Sequence, residues 1–262
     1  MRVLVTGAAR AIGRATVEAL AGRGHDVVAT ARDVSLLAGL PAAQTLPLDV
    51  SDSESVRSAV VDAGELDAVV NNAGLTGHGP LESYPLDVFA RVLDVNTLGP
   101  LRIAQAVVPR WRERGSGLLV NISSVQGKIG TPLEGAYAAS KHALEALSET
   151  LYFELGHFGI RVVIVEPGYI APGMKHEADH SGPSVYADLH AQWSGTVATL
   201  TGPAGRPGPE LVGSAVADAL EDPTTPLRVE VGADATMVLE LRRMLRDAEF
   251  EATMREALGL TW

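Results

Sequence analysis

The sequence contains no cysteine, which excludes disulfide bonds and metal sites with thiolate ligands. Long apolar runs are also missing, since none approaches the roughly 20 residues needed to cross a bilayer. Positive charge is scarce, with 21 basic against 32 acidic residues and a formal charge of −11. A surface of that sign repels phosphate backbones, and no cluster of lysines or arginines offsets it. These absences argue against a membrane protein and against a nucleic-acid partner.

What is present is ordinary for a soluble globular protein, because 46% of the 262 residues are hydrophobic and 20% are charged. No linker or internal repeat divides the chain, so we expect a single domain over residues 1–262. The first strand-like run begins at Arg2, which leaves no room for a signal peptide. We therefore expect a cytoplasmic protein.

Strand-like apolar runs alternate with helical patterns along the chain. The runs lie at residues 2–6, 25–31, 44–50, 66–70, 118–122, 160–165 and 227–231. Among the helical patterns is a long one over residues 86–113, which polar and helix-breaking residues interrupt at 96–100. This alternation predicts an α/β fold of the Rossmann type, with a doubly wound, mainly parallel sheet flanked by helices on both faces. Ligands of such a sheet bind at the carboxyl ends of its strands.

Two short glycine-containing segments follow the first and fourth runs. Gly7 to Gly13 leads into a helical pattern, and such a turn presents backbone N–H groups at a helix N-terminus to a pyrophosphate. Asn71-Asn72-Ala73-Gly74 follows the fourth run, and its small residues let a backbone lie against a ligand. Each segment taken alone is equally well explained as a plain turn.

The end of the second run is where a dinucleotide-binding unit places the residue that meets the adenosine ribose. This residue is Ala31 instead of an acid; Arg32 follows it, and Arg10 lies in the glycine turn. Two guanidinium groups can frame a 2′-phosphate, so the pattern favours NADP(H) over NAD(H). The alternative is a pair of solvated arginines, with Asp33 weakening the local positive field. Asp49, in the third run, could accept a hydrogen bond from the adenine amino group.

The candidate catalytic residues are Ser124, Tyr137 and Lys141. Tyr137 and Lys141 are four residues apart, a spacing that stacks two side chains on one helix face. A phenol titrates near pH ~10, and a neighbouring cation favours the phenolate. We therefore expect Lys141 to lower the pKa of Tyr137 toward the range of a general acid/base, while Ser124 could donate a hydrogen bond to a substrate carbonyl.

A Tyr-x-x-x-Lys pair is also common on exposed helices, so its neighbours in the sequence matter. The glycine turn, the Asn-Asn-Ala-Gly segment and Pro167-Gly168 each follow an apolar run, and together they favour an active site. Asn96 interrupts the long helical segment, where it is either functional or part of a kink around a buried water.

Residues 169–208 are rich in Gly, Pro, His and Ser, unlike the chain before them. One helical pattern lies within this segment, with apolar positions at Val185, Leu189, Trp193 and Val197. We expect this helix to cover a pocket as a lid, and the alternatives are a plain surface helix or a subunit contact.

Two motifs match functional patterns that we do not expect to operate. His176-Glu177-Ala178-Asp179-His180 fits H-E-x-x-H, but it lies in a short polar segment and no third zinc ligand is identifiable. Asn121-Ile122-Ser123 fits a glycosylation acceptor, yet it ends a predicted buried strand. We expect neither a metal site nor a glycan.

In order and spacing, the motifs resemble those of the short-chain dehydrogenase/reductase family over nearly the whole chain. The resemblance is carried by Thr6-Gly7-x-x-x-Ala11-Ile12-Gly13, Asn71-Asn72-Ala73-Gly74, Asn96, Ser124, Tyr137-x-x-x-Lys141 and Pro167-Gly168. Two positions depart from the family pattern. Ala11 replaces a glycine near the pyrophosphate, and Pro172 replaces a threonine expected to reach the carboxamide.

The resemblance implies a role for each matching residue. Tyr137 would give or take the proton, Ser124 would position the carbonyl, and Lys141 would bind the nicotinamide ribose and lower the tyrosine pKa. Asn96 would hold a water of the proton relay. The implied cofactor contacts are Gly7, Ile12 and Gly13 at the pyrophosphate, Asp49 and Val50 at the adenine, Asn72, Ala73 and Gly74 on the adenosine side, Arg10 and Arg32 at the 2′-phosphate, and Pro167, Gly168 and Ile170 near the carboxamide.

The leading hypothesis is an NADP(H)-dependent oxidoreductase that interconverts a ketone or aldehyde and an alcohol. The rival is a catalytically idle nucleotide-binding sensor or scaffold on the same fold. A sugar-nucleotide epimerase or dehydratase is disfavoured, because such relatives carry a differently spaced glycine turn. The resemblance also implies a homodimer or homotetramer formed through helices near 86–113 and 137–157. The substrate pocket is expected from loops near 75–85, 126–136 and 169–208.

Overall fold

The computed structural model describes residues 1–174, 176–179, 182–201 and 205–262. Its strands, in chain order, are β1 (Arg2–Val5), β2 (Asp26–Ala31), β3 (Gln44–Pro47), β4 (Ala68–Asn71), β5 (Thr76–His78), β6 (Gly117–Ile122), β7 (Ile160–Pro167), β8 (His176–Asp179) and β9 (Arg228–Val231). Its α-helices are α1 (Ala11–Gly22), α2 (Ser53–Ala63), α3 (Leu86–Leu93), α4 (Gly99–Arg114), α5 (Gly135–Gly156), α6 (Ala187–Thr201), α7 (Glu210–Glu221), α8 (Ala233–Met244) and α9 (Asp247–Leu258).

Seven strands form one parallel sheet in the order β3-β2-β1-β4-β6-β7-β9. The chain builds outward from β1 to β3, returns to the centre at β4, and then builds outward to β9 on the other side. The order therefore reverses between β1 and β4, and a sheet of this kind opens a ligand crevice at the carboxyl ends of the strands at such a point.

Helices cover both faces of the large sheet, which explains why its strands read as continuous apolar runs. Along β1 the side chains alternate between two core clusters. Val3 and Val5 pack in the cluster that includes α1 and α7, while Leu4 packs in the one that includes α2, α4 and α5. The predicted doubly wound α/β fold, with helices on both faces, is confirmed.

The predicted interruption of the long helix is a π-helical turn over Asp94–Leu98, between α3 and α4. Asn96 lies in this turn and is 1% exposed. Its amide donates to the Leu75 carbonyl (2.8 Å) and to Ser140 Oγ (2.9 Å), and its Oδ1 accepts from the Leu75 N–H (2.7 Å). The wider turn thus allows Asn96 to join the segment after β4 to helix α5.

Two details in or next to residues 169–208 differ from the sequence-based expectations, namely the pairing of β5 with β8 and the position of Val185. β5 and β8 form a separate two-stranded parallel sheet that the sequence pattern did not reveal. The described residues of the H-E-x-x-H motif, His176–Asp179, form strand β8, which agrees with the expectation that this short polar segment holds no ligand helix; His180 lies outside the described residues. Val185 precedes α6 and is 64% exposed, so it does not belong to that helix's apolar face.

Leu189 and Trp193 of α6 are buried, as the helical pattern predicts; the side chain of Val197 lies outside the described residues. Asn121 is buried at the end of β6, where its side chain bonds to Asn71 (2.8 Å) and Ser148 (2.8 Å). No helix in the described ranges is both long and apolar enough to cross a membrane.

Candidate active site

The glycine turn and the segment after β4 pack against each other at the carboxyl ends of β1 and β4. Gly7 has a φ of +66°, and a Cβ there would lie 2.9 Å from Ala73 Cα. A Cβ on Gly13 would lie 2.3 Å from the Gly7 carbonyl oxygen. The Asn72 amide donates to the carbonyls of Thr6 (2.9 Å) and Gly7 (3.1 Å). This surface is made of backbone, and it has room for no side chain at the two glycines.

Ala11 begins α1 with a φ of +44°, a conformation that favours glycine. This is the position at which the family pattern has glycine. Ile12 follows it, partly buried against the core. The alanine is therefore accommodated with local backbone strain, and the turn keeps its packing against Asn72.

Arg10 lies in the glycine turn and Arg32 follows β2, and both residues are exposed. Ala31, the last residue of β2, is buried. Asp33 follows Arg32 in the sequence. Its Oδ1 accepts from the Ser35 hydroxyl (2.6 Å) and the Ser35 N–H (3.0 Å), and these hydrogen bonds lower the pKa of Asp33. Asp33 caps the following turn through these hydrogen bonds, and it remains an exposed negative charge next to Arg32.

Asp49 and Val50 follow β3 on the same side of the sheet. Burial raises the pKa of Asp49, but hydrogen bonds from Ser51 and the charges of Arg32 and Arg91 outweigh it and leave the pKa lowered. Val50 is buried, and its carbonyl accepts from Arg102 Nη1 (3.2 Å).

Ser124, Tyr137 and Lys141 meet where β6 ends and α5 begins. The Ser124 hydroxyl donates a hydrogen bond to the Tyr137 hydroxyl, and Lys141 Nζ lies 5.5 Å from the centre of the Tyr137 ring. Lys141 is 5% exposed and donates to the Ile122 carbonyl (2.7 Å). Asn96 joins the group through Ser140, which lies on α5 between Tyr137 and Lys141.

The pKa of Tyr137 is raised, so the expectation that Lys141 lowers it is wrong for this structure. Burial is the main cause of the rise, Glu134 adds to it, and the hydrogen bond from Ser124 opposes it. Burial also lowers the pKa of Lys141 to about 8, against the opposing charge of Glu145. A cation that is itself desolvated competes poorly with the cost of burying a phenolate. Tyr137 is therefore protonated at neutral pH.

Pro167 ends β7, and Gly168, which follows it, contacts Asp234, a residue that sequence reasoning missed. A Cβ on Gly168 would lie 2.2 Å from Asp234 Oδ2, which also accepts from the Tyr169 N–H (2.7 Å). The Gly168 N–H donates to the Val231 carbonyl (3.0 Å), while Ile170 is buried in the core. Asp234 lies at the start of α8, and no motif in the sequence connects it with the Pro-Gly pair.

Sequence reasoning also missed a buried ionic cluster around Glu145 of helix α5. Glu145 Oε2 pairs with Lys128 (3.0 Å) and Arg228 (3.0 Å), and Glu166 lies 3.7 Å from the same arginine. Burial, then the nearby charge of Glu145, raises the pKa of Glu166 to about 7. The cluster joins α5, the loop after Ser124, β7 and β9.

The chain matches the family model described as short chain dehydrogenase over residues 1–182. A short-chain dehydrogenase from Streptomyces avermitilis is 34% identical with a TM-score of 0.80, covering 100% of this chain and 98% of its own. A short chain dehydrogenase from Burkholderia cenocepacia, solved with NADP, is 26% identical with a TM-score of 0.78 over the same shares. Human 17-beta-hydroxysteroid dehydrogenase type 1 is 41% identical over 182 residues, covering 63% of this chain and 56% of that protein.

Proposed function

The chain belongs to the short-chain dehydrogenase family of oxidoreductases, which act on CH–OH groups, and we propose that it interconverts a ketone or aldehyde and an alcohol with NADP(H). Tyr137 serves as the general acid and base in this proposal. The arrangement of Ser124, Tyr137 and Lys141 carries it, because a nucleotide-binding sensor has no use for a partly buried tyrosine with a lysine one turn away.

The residues at the carboxyl edge of the sheet fit a dinucleotide. Gly7 and Gly13 let the turn pack tightly against Asn72 and Ala73 at the N-terminus of α1, where a pyrophosphate would approach. Arg10 and Arg32 would meet the 2′-phosphate that distinguishes NADP(H), since Ala31 offers no carboxylate to a ribose hydroxyl. The Burkholderia relative, solved with NADP, supports the same choice. When bound, this cofactor supplies or accepts the hydride.

The catalytic residues handle the proton and the substrate oxygen. In reduction, the Tyr137 hydroxyl donates its proton to the carbonyl oxygen, and its raised pKa means that the hydroxyl holds this proton at neutral pH. The Ser124 hydroxyl can donate a hydrogen bond to the same oxygen. Lys141 has a pKa of about 8, so its amine is mostly protonated at pH 7. This positive charge can stabilise the phenolate that Tyr137 becomes when it has donated its proton. Oxidation of an alcohol uses the same groups in reverse.

The proposal is tested by assaying a panel of ketones and aldehydes with NADPH deuterated at the transferred position. We expect NADPH oxidation, with deuterium recovered on the carbinol carbon of the product. If NADPH binds but no substrate of the panel acquires deuterium, the idle sensor becomes the better description of the chain.

Assembly into a homodimer or homotetramer through α4 and α5 is also part of the proposal. Apolar side chains on or next to these helices reach solvent, among them Leu98, Tyr152 and Phe153, which is 80% exposed. Burying such a surface against its own copy across a two-fold axis would remove it from water. Light scattering at micromolar concentration should give a mass above that of one chain, and a monomeric mass would contradict the expectation.

A further inference from the structure

A cavity of about 440 Å³ lies between the loop after Ser124 and the C-terminal helices. This volume falls within the roughly 300–1,000 Å³ of sites for drug-sized ligands. Phe250, Met254 and Leu258 recur at every fourth residue of α9 and line one side of it. No residue of α9, all of which are described, is fully buried. The apolar stripe of this helix therefore faces the cavity instead of a filled core.

The lysine and the two arginines on the wall of the cavity are already paired with carboxylates. Arg242 bonds to Asp247 (2.8 Å), Arg255 to Glu251 (2.9 Å), and Lys128 to the buried Glu145 (3.0 Å). An anionic ligand would have to break one of these pairs to gain a cation. The carboxylate of Asp234, which also lines the cavity, already accepts from the Tyr169 N–H (2.7 Å). The wall thus favours an uncharged ligand that makes mainly apolar contacts.

The cavity adjoins the catalytic residues through the loop that follows Ser124. Val125, the next residue, lines it, and so does Thr131, whose hydroxyl donates to Glu134 Oε2 (3.1 Å). Glu134 lies close to both tyrosines of the region, because after burial its charge contributes to raising the pKa of Tyr137 and of Tyr169. Tyr169 also lines the cavity. The cavity therefore adjoins the two loops that follow Ser124 and Gly168, while Ser124 and Tyr137 themselves do not line it.

Most of the far wall comes from beyond residue 182, where the match to the family model ends. Leu189 and Trp193 of α6, Val238 of α8 and the stripe of α9 all belong to this part of the chain. The C-terminal helices, which lie outside the matched segment, therefore supply much of the shape of the cavity.

We propose that the cavity holds the non-reacting part of the substrate, and that this substrate is a bulky, uncharged, mainly apolar ketone or alcohol. The inference rests on the proposed function, since it assigns the substrate of the same site. It adds that the C-terminal helices favour larger substrates over smaller ones and uncharged substrates over charged ones.

The first test compares a small ketone, a polycyclic apolar ketone with the same reacting group, and a carboxylated form of the polycyclic ketone. We expect kcat/KM to be at least about tenfold higher for the polycyclic ketone than for the other two. A kcat/KM that is equal for all three, or highest for the carboxylate, would overturn the proposal.

A matched pair of variants locates the selectivity. Met254→Trp places a large side chain in the cavity, while Met244→Trp makes the same change at the end of α8, where Met244 is 74% exposed. Met254→Trp should lower kcat/KM for the polycyclic ketone at least about tenfold and leave the small ketone nearly unchanged. Met244→Trp should change neither. Equal losses for both ketones in Met254→Trp would contradict a size-selecting cavity.

Calorimetric titration separates a failure of this inference from a failure of the proposed function. The polycyclic ketone is titrated into the enzyme with NADP⁺, which cannot reduce it, and the titration is repeated with Met254→Trp. Binding by the wild type and weaker binding by the variant support the cavity assignment even if no ketone is turned over. Turnover of small ketones without binding of the polycyclic ketone overturns the assignment and leaves the proposed function standing.

Discussion

The glycine turn and the apolar cavity form their surfaces by different means. Around the turn, backbone meets backbone so closely that a Cβ on Gly13 would lie 2.3 Å from the Gly7 carbonyl oxygen. Around the cavity, side chains such as Phe250 and Met254 line an open space. A backbone surface admits few residue types, and so it leaves a motif in the sequence. A side-chain surface admits many apolar residues of similar volume, and so it leaves none.

Substitution of Tyr137, the proposed proton donor, should have the largest effect. Tyr137→Phe removes the transferred proton and keeps the ring, so turnover should fall by about 10²–10⁴-fold while the Kd for NADPH stays within about twofold. Steady-state kinetics and a cofactor titration measure the two quantities.

Tyr152→Phe is the matched control, because Tyr152 lies on the same helix with its side chain half exposed. It should change neither turnover nor binding. Wild-type turnover in Tyr137→Phe, or an equal loss in both variants, would remove Tyr137 from the mechanism.

The next effect tests whether the turn surface is made of backbone. In Gly13→Ala the new methyl meets the Gly7 carbonyl oxygen, which should lower the free energy of unfolding by about 1–3 kcal/mol and weaken NADPH binding. Gly22→Ala lies on the same helix, and no described atom comes within 4 Å of its new Cβ. Because alanine is the better helix former, that variant should be neutral or more stable by up to about 1 kcal/mol. Denaturant unfolding measures both, and equal stabilities would contradict the packing described here.

The same contrast explains what the sequence could and could not predict. The strands of the large sheet, the glycine turn and the position of Asn96 follow from local patterns, and the structure has them where those patterns predict. The contact of Asp234 with Gly168 could not be predicted, since the two positions are 66 apart in the sequence and no motif contains both. The pKa of Tyr137 was predicted in the wrong direction, because burial depends on the packing of distant segments and not on the spacing to Lys141.

A smaller effect concerns the buried ionic cluster of Glu145, Glu166, Lys128 and Arg228. Glu166 has an ordinary pKa of 4.5 and a folded pKa of about 7, so between these values the folded state holds more protons than the unfolded state. Stability should therefore fall as pH rises from about 4.5 to 7 and then level off. The groups that set this shift are Glu145, Lys128, Arg228 and Glu230.

Glu166→Gln should flatten this part of the stability profile and raise stability above pH 7, where the wild type holds a buried charge. Glu149→Gln is the control, because Glu149 also pairs with Arg228 (2.6 Å) but is half exposed. Thermal unfolding from pH 4 to 8 measures the profiles. Parallel profiles for wild type and Glu166→Gln would contradict the assignment.

In the proposed function the N-terminal region binds NADP(H), and Arg10 and Arg32 are the side chains that select it over NAD(H). The most direct measurement titrates NADPH and NADH into the wild type and into the double variant Ala31→Asp, Arg32→Ala. A charge-assisted hydrogen bond contributes about 1.5–3 kcal/mol before screening, so the wild type should bind NADPH at least about tenfold more tightly than NADH. The double variant should reverse the preference, since a carboxylate repels the 2′-phosphate and accepts from the ribose hydroxyls. Equal Kd values for the two cofactors in the wild type, or an unchanged preference in the double variant, would contradict the claim.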